Sequence, residues 1–593
     1  MLLRASRAVL AALLLASLAS ALAHGDDHEM DMGDMGDMDM TSHEPAQTQT
    51  SDNSPMSYFA HGKHTGWIVA HIVLMVVAWC FVLPISVMLS IGRSRLALLS
   101  NFVFLALNAA GLLVGIVYNS QTPDLYVNNA HHKIGWIATW VVSVQIILAL
   151  IFAYAGRGEK GAAHEHAQFL PVSTEDMAES PTSFPAGIRH EYRWSGDSGQ
   201  GTERNSASLH RPSSSSCSSP SNEYDDGFEK PEEDIPEQVS ESRGSMPNAI
   251  LDRFLANRVP RMMSARVLRV LNLVYHIIDR LILQFGFIAI LTGAVTYGGI
   301  FRDRQIFNGL AHFIKGGIFF WYGLLTLGRV MGSWADLGWA WNVKPPREVV
   351  GWKANIQSGE FTESAVIFSY GVSNVFLEHL TGWGGAWTAT DFEHVSIAIM
   401  FLGGGLCGML FESKTVKRWM NATILRAPSH LEADGMSAAV WRAPDTQGVS
   451  LNPMPALVIL LLGMMMGSHH QSSMISSMIH KQWGNMLVGF ALARGMTYVM
   501  MYLKPPTSYL PSRPPTEIVA AFCLISGGLI FMLSARNVVE AVEFYELDAM
   551  FTFTVTLGLT SFIMAYEIIV IAIKAWAVKR KSRPQLAPFR FPA

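Results

Sequence analysis

The chain has 593 residues, of which 50% are hydrophobic and 15% are charged, whereas globular proteins carry about 25% charged residues. This composition excludes a soluble multidomain protein and a mostly disordered one, and it indicates a chain that lies largely in lipid. The net charge of −4 excludes the basic surface that binding to nucleic acid requires. The four cysteines, three of them in apolar stretches, predict no disulfide framework.

The first segment has the features of a targeting signal. Residues 1–23 carry Arg4 and Arg7 near their start, continue with an apolar run and end in the small-residue sequence Ala21-Leu22-Ala23. This order predicts a secretory signal peptide that is cleaved after Ala23. The mature N-terminus is then expected in the lumen or outside the cell.

Residues 24–60 form a leader that is rich in acidic residues, methionine and histidine. Thioether sulfur prefers Cu(I) and imidazole suits copper or zinc, so the leader is interpreted either as a metal-capturing segment or as an ordinary acidic, disordered one. The candidate ligands are His24, His28, Met32, Met35 and Met38, followed by Met40 and His43.

Apolar segments predict an all-α fold, a polytopic membrane bundle of about eleven transmembrane helices after the signal peptide. Lysine and arginine collect in alternate loops and in the tail 581–593, which predicts a cytoplasmic C-terminus. The predicted spans are approximately 66–91, 97–118, 134–155, 277–300, 306–331, 363–380, 392–412, 454–470, 483–503, 517–534 and 549–577.

A polar linker, 157–263, divides these spans into a three-helix membrane domain, 61–156, and an eight-helix domain, 264–580. Its serine runs and scattered charges predict a disordered cytoplasmic segment where regulatory partners could bind. The arginine-rich stretch 251–270 is interpreted either as an amphipathic helix on the inner leaflet or as an extension of the fourth span.

Three histidines mark the first membrane domain. His71 lies near the start of the first span, and His131 and His132 precede the third, which predicts similar depths on the outer side. His is a common axial ligand of heme iron, so a single b-type heme between the two helices is one interpretation. The alternative is a set of interfacial histidines that bind no cofactor.

The sequence HIVLM, beginning at His71 and followed by Trp79 and Pro84, resembles the opening helix of the ascorbate-linked transmembrane b-type cytochromes. His132, with the glycine and glutamine that follow it at 135 and 145, is similar to that family's third-histidine helix. The resemblance implies that His71 and His132 supply one heme's ligand pair. Because Phe104 stands where the family has another histidine, at most one heme is expected.

In the second domain, histidine, glutamate and methionine recur at one predicted depth on the outer side. Polar groups at membrane depth usually face a cavity or a partner, so these residues form a candidate transition-metal site. The alternative is that each histidine simply hydrogen-bonds to water near the headgroups. The candidate ligands are His312, Glu378, His379, Glu393, His394, His469, His470, Met474 and His480.

Arg494 lies near the middle of a predicted span and therefore needs a partner, for which Glu567 or helix carbonyl groups are the candidates. The chain lacks a Walker loop, a Gly-x-Ser-x-Gly elbow and an HExxH motif, so no sequence motif indicates a hydrolase or a nucleotide-driven pump. If the protein is an enzyme, the cytochrome resemblance implies an oxidoreductase.

The sequences FEHVSIAIMFLGGGL and GMMMGSHHQSSMISSMIHKQWGNML in the second domain resemble the fungal "yeast putative transmembrane protein", or Ytp-like, family. The resemblance implies a multipass membrane protein, and the signal peptide predicts the secretory pathway or the cell surface. Three functions are weighed: binding or transport of a redox metal, with copper preferred, at the outer face; single-heme electron transfer; and a non-catalytic trafficking or scaffold role.

Overall fold

A computed structural model of the chain describes residues 57–166, 265–302, 306–377, 386–387, 389–425, 444–468, 471 and 473–581. The described residues contain helices and turns and no β-strand, so the all-α prediction is confirmed. Those within 57–150 and 269–581 belong to one compact unit, and those within 151–166 and 265–268 belong to another. The signal peptide, the leader and most of the predicted linker lie outside the described residues.

Thirteen helices carry the architecture of the described chain. They are α1 Thr65–Ile91, α2 Leu96–Gln121, α3 Ala130–His166, α4 Ala265–Gly298, α5 Ile306–Met331, α6 Gly359–Leu377, α7 Ala389–Glu412, α8 Lys414–Leu425, α9 Met454–Ser468, α10 Met474–Leu503, α11 Thr516–Leu533, α12 Arg536–Phe544 and α13 Ala549–Lys581.

Nine of these helices are long and apolar enough to cross a membrane: α1 to α5, α7, α10, α11 and α13. The two remaining predicted spans are helical as well, but α6 falls outside that group and α9, with 15 residues, is shorter than a typical span. The protein is therefore an integral, helical membrane protein.

Both ends of the predicted linker are more helical than expected. Helix α3 continues to His166, ten residues into the segment predicted to be disordered. Helix α4 begins at Ala265, so residues 265–270 extend the fourth span, as one of the two interpretations proposed. Residues 251–264 lie outside the described part of the chain.

Helix α1 contains a π-helical turn, Val77–Val82. Pro84 follows this turn and has no N–H to donate to a carbonyl one turn earlier, which disfavours regular α-helical bonding there. The carbonyl of Phe81 accepts a hydrogen bond from the Tyr566 hydroxyl of α13. The turn places Trp79 in the core, where its indole N–H donates to Asn108 Oδ1 at 2.9 Å.

Helix α4 packs with the N-terminal helices α1, α2 and α3. Ile282 of α4 belongs to the same buried cluster as Trp79, Phe104 and Val142. In addition, the Gln145 amide donates to Asp279 at 3.0 Å. The apolar face of α4, the first helix of the predicted C-terminal domain, thus packs against α1, α2 and α3, and these four helices are here called the N-terminal bundle.

The C-terminal helices pack closely where glycine occurs on both sides of a crossing. A Cβ placed on Gly316 of α5 would lie 2.6 Å from the carbonyl oxygen of Gly528 on α11, and one on Gly528 would lie 2.5 Å from the carbonyl of Gly316. Only glycine permits this approach, as is typical of membrane helices. The crossing fixes α5 against α11 and forms one wall of the candidate site.

Candidate functional site: a cavity between histidines and buried ion pairs

A cavity of about 1010 Å³ lies within the C-terminal domain. It is lined by residues of helices α5, α6, α7, α9, α10, α11 and α12. Along α5 the lining extends from His312 to Arg329, a distance of about 26 Å at 1.5 Å per residue. Since the hydrocarbon core of a bilayer is about 30 Å thick, the cavity extends through most of that depth.

One end of this cavity, here called the histidine end, contains His312, His394 and His480. The three residues come from α5, α7 and α10, and all three are among the predicted metal ligands. The rings of His312 and His480 have their centroids 6.3 Å apart and are nearly perpendicular, at 84°. The fold therefore brings together histidines that are far apart in the sequence.

The orientation of His480 is fixed by the helix that carries it. Nδ1 of His480 donates to the Ser476 carbonyl oxygen at 2.8 Å, which places the lone pair of the neutral ring on Nε2. Ser473 caps α10 and, with Ser476, His480 and Trp483, lies on the face that lines the cavity. Trp483 in turn stacks on Phe531 of α11, with centroids 4.2 Å apart.

Two described candidates do not contribute to this cavity lining. Met474 lies on a different face of α10 from His480, and its side chain is 81% exposed. Glu393 is exposed on α7, whereas its neighbour His394 lines the cavity. Met474 and Met478, four residues apart, share one face of α10, but that face is not the one that turns toward the cavity.

The other candidates of the C-terminal set, Glu378, His379, His469 and His470, lie outside the described residues, as do the leader ligands His24, His28, Met32, Met35 and Met38. Within the described part of the chain, no three His, Cys, Asp or Glu side chains are close enough together to hold a metal ion. The described histidine end thus offers one pair of facing imidazoles, His312 and His480, and His394 lines the same cavity.

The opposite end of the cavity, here called the ion-pair end, contains five buried charged side chains. Arg329 contacts Glu360 at 2.7 Å and Glu363 at 2.6 Å. Arg494 contacts Glu363 at 3.2 Å and Glu517 at 2.7 Å. Their side chains are at most 9% exposed, and Arg329 and Glu363 line the cavity directly.

An aromatic residue covers both arginines of this cluster. The guanidinium of Arg329 lies 4.2 Å from the centroid of Trp341, and that of Arg494 lies 5.5 Å from it. Trp341 is 2% exposed and belongs to the segment between α5 and α6. Cation–π contacts of this kind are strongest when water is excluded, so Trp341 shields one side of both guanidiniums.

The sequence identified Arg494 as a residue that needs a partner but predicted the wrong one. Its carboxylate partners are Glu363 and Glu517, whereas Glu567 lies near Gly328, where its Oε1 would be 3.7 Å from an added Cβ. Arg329, Glu360, Glu363 and Glu517 escaped the sequence analysis because they lie near helix ends, where charges are common. The close spacing of Glu360 and Glu363 at the start of an apolar helix was the signal available.

In the N-terminal bundle, His71 and His131 face each other, with ring centroids 6.5 Å apart and planes at 80°. Nδ1 of His71 donates to the Gly111 carbonyl oxygen at 2.8 Å. Glycines make room for both rings, because a Cβ on Gly115 would lie 2.6 Å from His71 and one on Gly293 would lie 3.0 Å from His131. The two imidazoles thus occupy a gap between α1, α2, α3 and α4.

The structure selects between the two candidates on α3. His132 is exposed, and its backbone N–H donates to Asn129 Oδ1 at 3.2 Å. The cytochrome resemblance implied His132 as the partner of His71, but the residue that faces His71 is His131. Neighbouring residues of an α-helix point in directions about 100° apart, so only one of these two histidines can face His71.

Comparison with known proteins agrees with this architecture. Residues 285–575 match the family described as Protein YTP1-like, C-terminal, and residues 52–155 match a domain of unknown function, DUF2427. The chain is 33% identical, over 518 residues, to an uncharacterized membrane protein of Schizosaccharomyces pombe, covering 87% of this chain and 95% of that protein. The chain belongs to the YTP1-like family.

Two relatives from Saccharomyces cerevisiae match over shorter regions. An uncharacterized membrane protein is 38% identical over 339 residues, which cover 55% of this chain and 52% of that protein. Protein YTP1 is 23% identical over 247 residues, which cover 42% of each. No solved structure matches the chain. The predicted Ytp-like resemblance is confirmed, and the relatives support a multipass membrane protein.

Proposed function

We propose that this YTP1-like protein binds a soft transition-metal ion, with copper as the first candidate, at the histidine end of its C-terminal cavity. The observation that carries the proposal is the pairing of His312 and His480 at 6.3 Å between ring centroids. Two imidazoles on one metal, each at roughly 2 Å from it, have ring centres about 6 Å apart. Imidazole is a suitable ligand for copper.

Other predicted ligands directly follow helices that line the cavity. Helix α6 ends at Leu377, directly before Glu378 and His379, and helix α9 ends at Ser468, directly before His469 and His470. The predicted topology places these helix ends on the luminal or outer side, where the Met/His-rich leader also lies. The leader would then capture the ion, and the histidine end would bind it or pass it on.

Metal analysis of the purified protein tests this proposal. After incubation with copper and removal of excess metal, elemental analysis is expected to find bound copper that His480→Ala and His312→Ala each reduce. Met474→Ala is the matched control, because Met474 lies on the same helix but is 81% exposed. A histidine double variant that binds as much copper as the wild type, in a leader-deleted chain, would overturn the proposal.

A second function has its own observation in the N-terminal bundle. His71 and His131 face each other at 6.5 Å, close to the spacing of two imidazoles that share one metal ion. We propose these two residues as the axial pair of a single b-type heme, which would supply one-electron chemistry. The hydrogen bond from His71 Nδ1 to the Gly111 carbonyl holds its Nε2 as the ligating atom.

An absorption spectrum of the purified protein tests the heme proposal. A Soret band is expected in the wild type and is expected to disappear in His71→Ala and in His131→Ala. His132→Ala should retain the band, because His132 is exposed. A spectrum without heme absorption after expression with added heme would overturn this second function and leave the copper proposal unaffected.

A further inference from the structure

The cluster at the ion-pair end of the cavity has unequal numbers of acidic and basic groups. Glu360, Glu363 and Glu517 supply three carboxylates, whereas Arg329 and Arg494 supply two guanidiniums. Burying a charge without a compensating one is costly, especially at membrane depth. The cluster is therefore neutral only if it also holds one additional positive charge.

Among the described residues in direct contact with the cluster, none supplies such a charge. Tyr322 of α5 and Tyr498 of α10 lie beside the ion pairs and are neutral phenols. The cationic groups acting on both Glu360 and Glu363 are Arg329 and Arg494. Helix α13 contributes Glu567 near Gly328, a further carboxyl rather than a cation.

Hydrogen bonding within the cluster is incomplete at Glu517. No described residue donates a hydrogen bond to either of its carboxylate oxygens, although Oε1 lies 2.7 Å from Nε of Arg494. The hydroxyl of Tyr498 also has no hydrogen-bond partner in the described chain. A buried carboxylate is normally held by several donors, whereas a protonated carboxyl carries an O–H of its own and can donate it. Both oxygens of Glu517 therefore remain available to a further hydrogen-bond partner.

The cluster is also accessible from the rest of the cavity. Tyr322, Arg329 and Glu363 form part of the lining, and the same cavity extends to His312 at the histidine end. Ordered water in a cavity of about 1010 Å³ could carry a proton to Glu363. Buried carboxyl groups with such access are the usual components of proton pathways in membrane proteins.

We propose that the cluster binds one proton, held by Glu363 or Glu517, the two carboxyls that flank Arg494, and that this proton exchanges with bulk water through the cavity. A hydronium ion that arrives by way of the cavity water gives its proton to one carboxylate and leaves as water, so this carboxylate becomes a neutral acid. The remaining two carboxylates balance the two guanidiniums. The site thus forms a proton-binding station at the ion-pair end of the cavity.

Infrared spectroscopy of the purified, metal-free full-length protein tests the charge argument through the C=O band of protonated carboxyl groups. Glu363→Gln and Glu517→Gln are each expected to remove one protonated carboxyl, because either change alone balances the cluster. Arg494→Gln is expected to add one, because it leaves a second carboxylate without a counter-charge. These opposite signs distinguish a charge balance from a general loss of structure.

Glu567→Gln is the matched control. Glu567 is also buried within a membrane helix, and its Oε2 has no hydrogen-bond partner in the described chain. Its substitution should remove only the C=O absorption of Glu567 itself and leave the C=O band of the cluster unchanged. If Glu363→Gln and Glu517→Gln both leave the protonated-carboxyl signal of the wild type unchanged, the proposal is wrong. The proposal also fails if the cluster instead requires sodium or potassium and shows no protonated carboxyl.

Exchange in heavy water tests access through the cavity. Ile318 lines the cavity between its two ends, so Ile318→Cys labelled with a bulky maleimide should slow the deuterium shift of the cluster band. Wild type treated with the same reagent controls for labelling of the native cysteines. Equal exchange rates with and without the label at this position would exclude the cavity as the route.

The result of the infrared experiment does not depend on copper binding. His480→Ala is expected to lose bound metal and to retain the protonated-carboxyl band, since His480 lies at the opposite end of the cavity. Failure of the metal proposal therefore leaves the infrared result unchanged, and failure of the proton proposal leaves metal binding unchanged.

Discussion

The N-terminal bundle and the C-terminal domain differ in the partners of their buried polar side chains. In the N-terminal bundle, His71, Trp79 and Gln145 each pair with a neutral amide or carbonyl or with a single acid. In the C-terminal domain, five ionised or ionisable side chains gather at the end of a large cavity. The first arrangement holds four helices together, whereas the second places buried charge beside a cavity.

This difference indicates where function is concentrated. Neutral hydrogen bonds contribute modestly and specify packing, but buried charges are expensive unless they are paired. A domain that retains five of them beside a cavity of about 1010 Å³ has more than a packing requirement. The following experiments test this difference between the two regions.

The largest effect is expected from Arg329→Ala. This change leaves Glu360 and Glu363 without their closest cation and should lower the free energy of unfolding by about 3–5 kcal/mol. Thermal unfolding of the purified protein in detergent measures it. The control is Lys353→Ala, which removes a half-exposed ion pair to Asp336 and should change stability by about 0–1 kcal/mol. Equal losses for the two variants would contradict a special role for the buried cluster.

The next effect concerns the glycine crossing that forms the cavity wall. Gly316→Ala places a methyl group 2.6 Å from the Gly528 carbonyl and from the Met532 side chain, and such overpacking should cost about 1–3 kcal/mol. Gly495→Ala is the matched control, because no atom lies within 4 Å of its added Cβ. The same unfolding assay compares them. If Gly316→Ala left the free energy of unfolding unchanged, the α5–α11 contact would relax more easily than its geometry indicates.

A smaller loss is expected in the N-terminal bundle from Trp79→Phe. The variant removes the indole N–H that donates to Asn108 Oδ1 at 2.9 Å and should destabilise the protein by about 1–2 kcal/mol. Trp140→Phe, at a side chain that is 66% exposed on α3, serves as the control and should have little effect. If Trp79→Phe proved as damaging as Arg329→Ala, the proposed contrast between the regions would disappear.

The smallest effect is expected from Met474→Ala. The side chain of Met474 is 81% exposed and does not line the cavity, so stability and copper content should both remain at the wild-type level. Elemental analysis beside His480→Ala provides the comparison. A loss of copper in Met474→Ala equal to that in His480→Ala would restore methionine to the metal site and contradict the orientation of α10.

The histidines show how far sequence analysis reaches. Topology predicted that His312, His394 and His480 share one side of the membrane, and the fold brings all three to one cavity. The partner of His71 was predicted less well, because His131 and His132 are neighbours whose directions differ by about 100°. Only the packing of α3 against α1 and α4 determines which of them turns inward.

The sequence by itself determined the membrane class, most of the helix positions and the family. The reason is that an apolar run of about 20 residues is a local feature of the sequence, and its length matches the thickness of the hydrocarbon core. The tertiary structure alone decided the cavity and the ion-pair cluster, since these depend on contacts between distant residues, such as Arg494 and Glu363, which are 131 positions apart. A charged residue in an apolar segment predicts that a partner is present, but only the packing of the helices determines which residue that partner is.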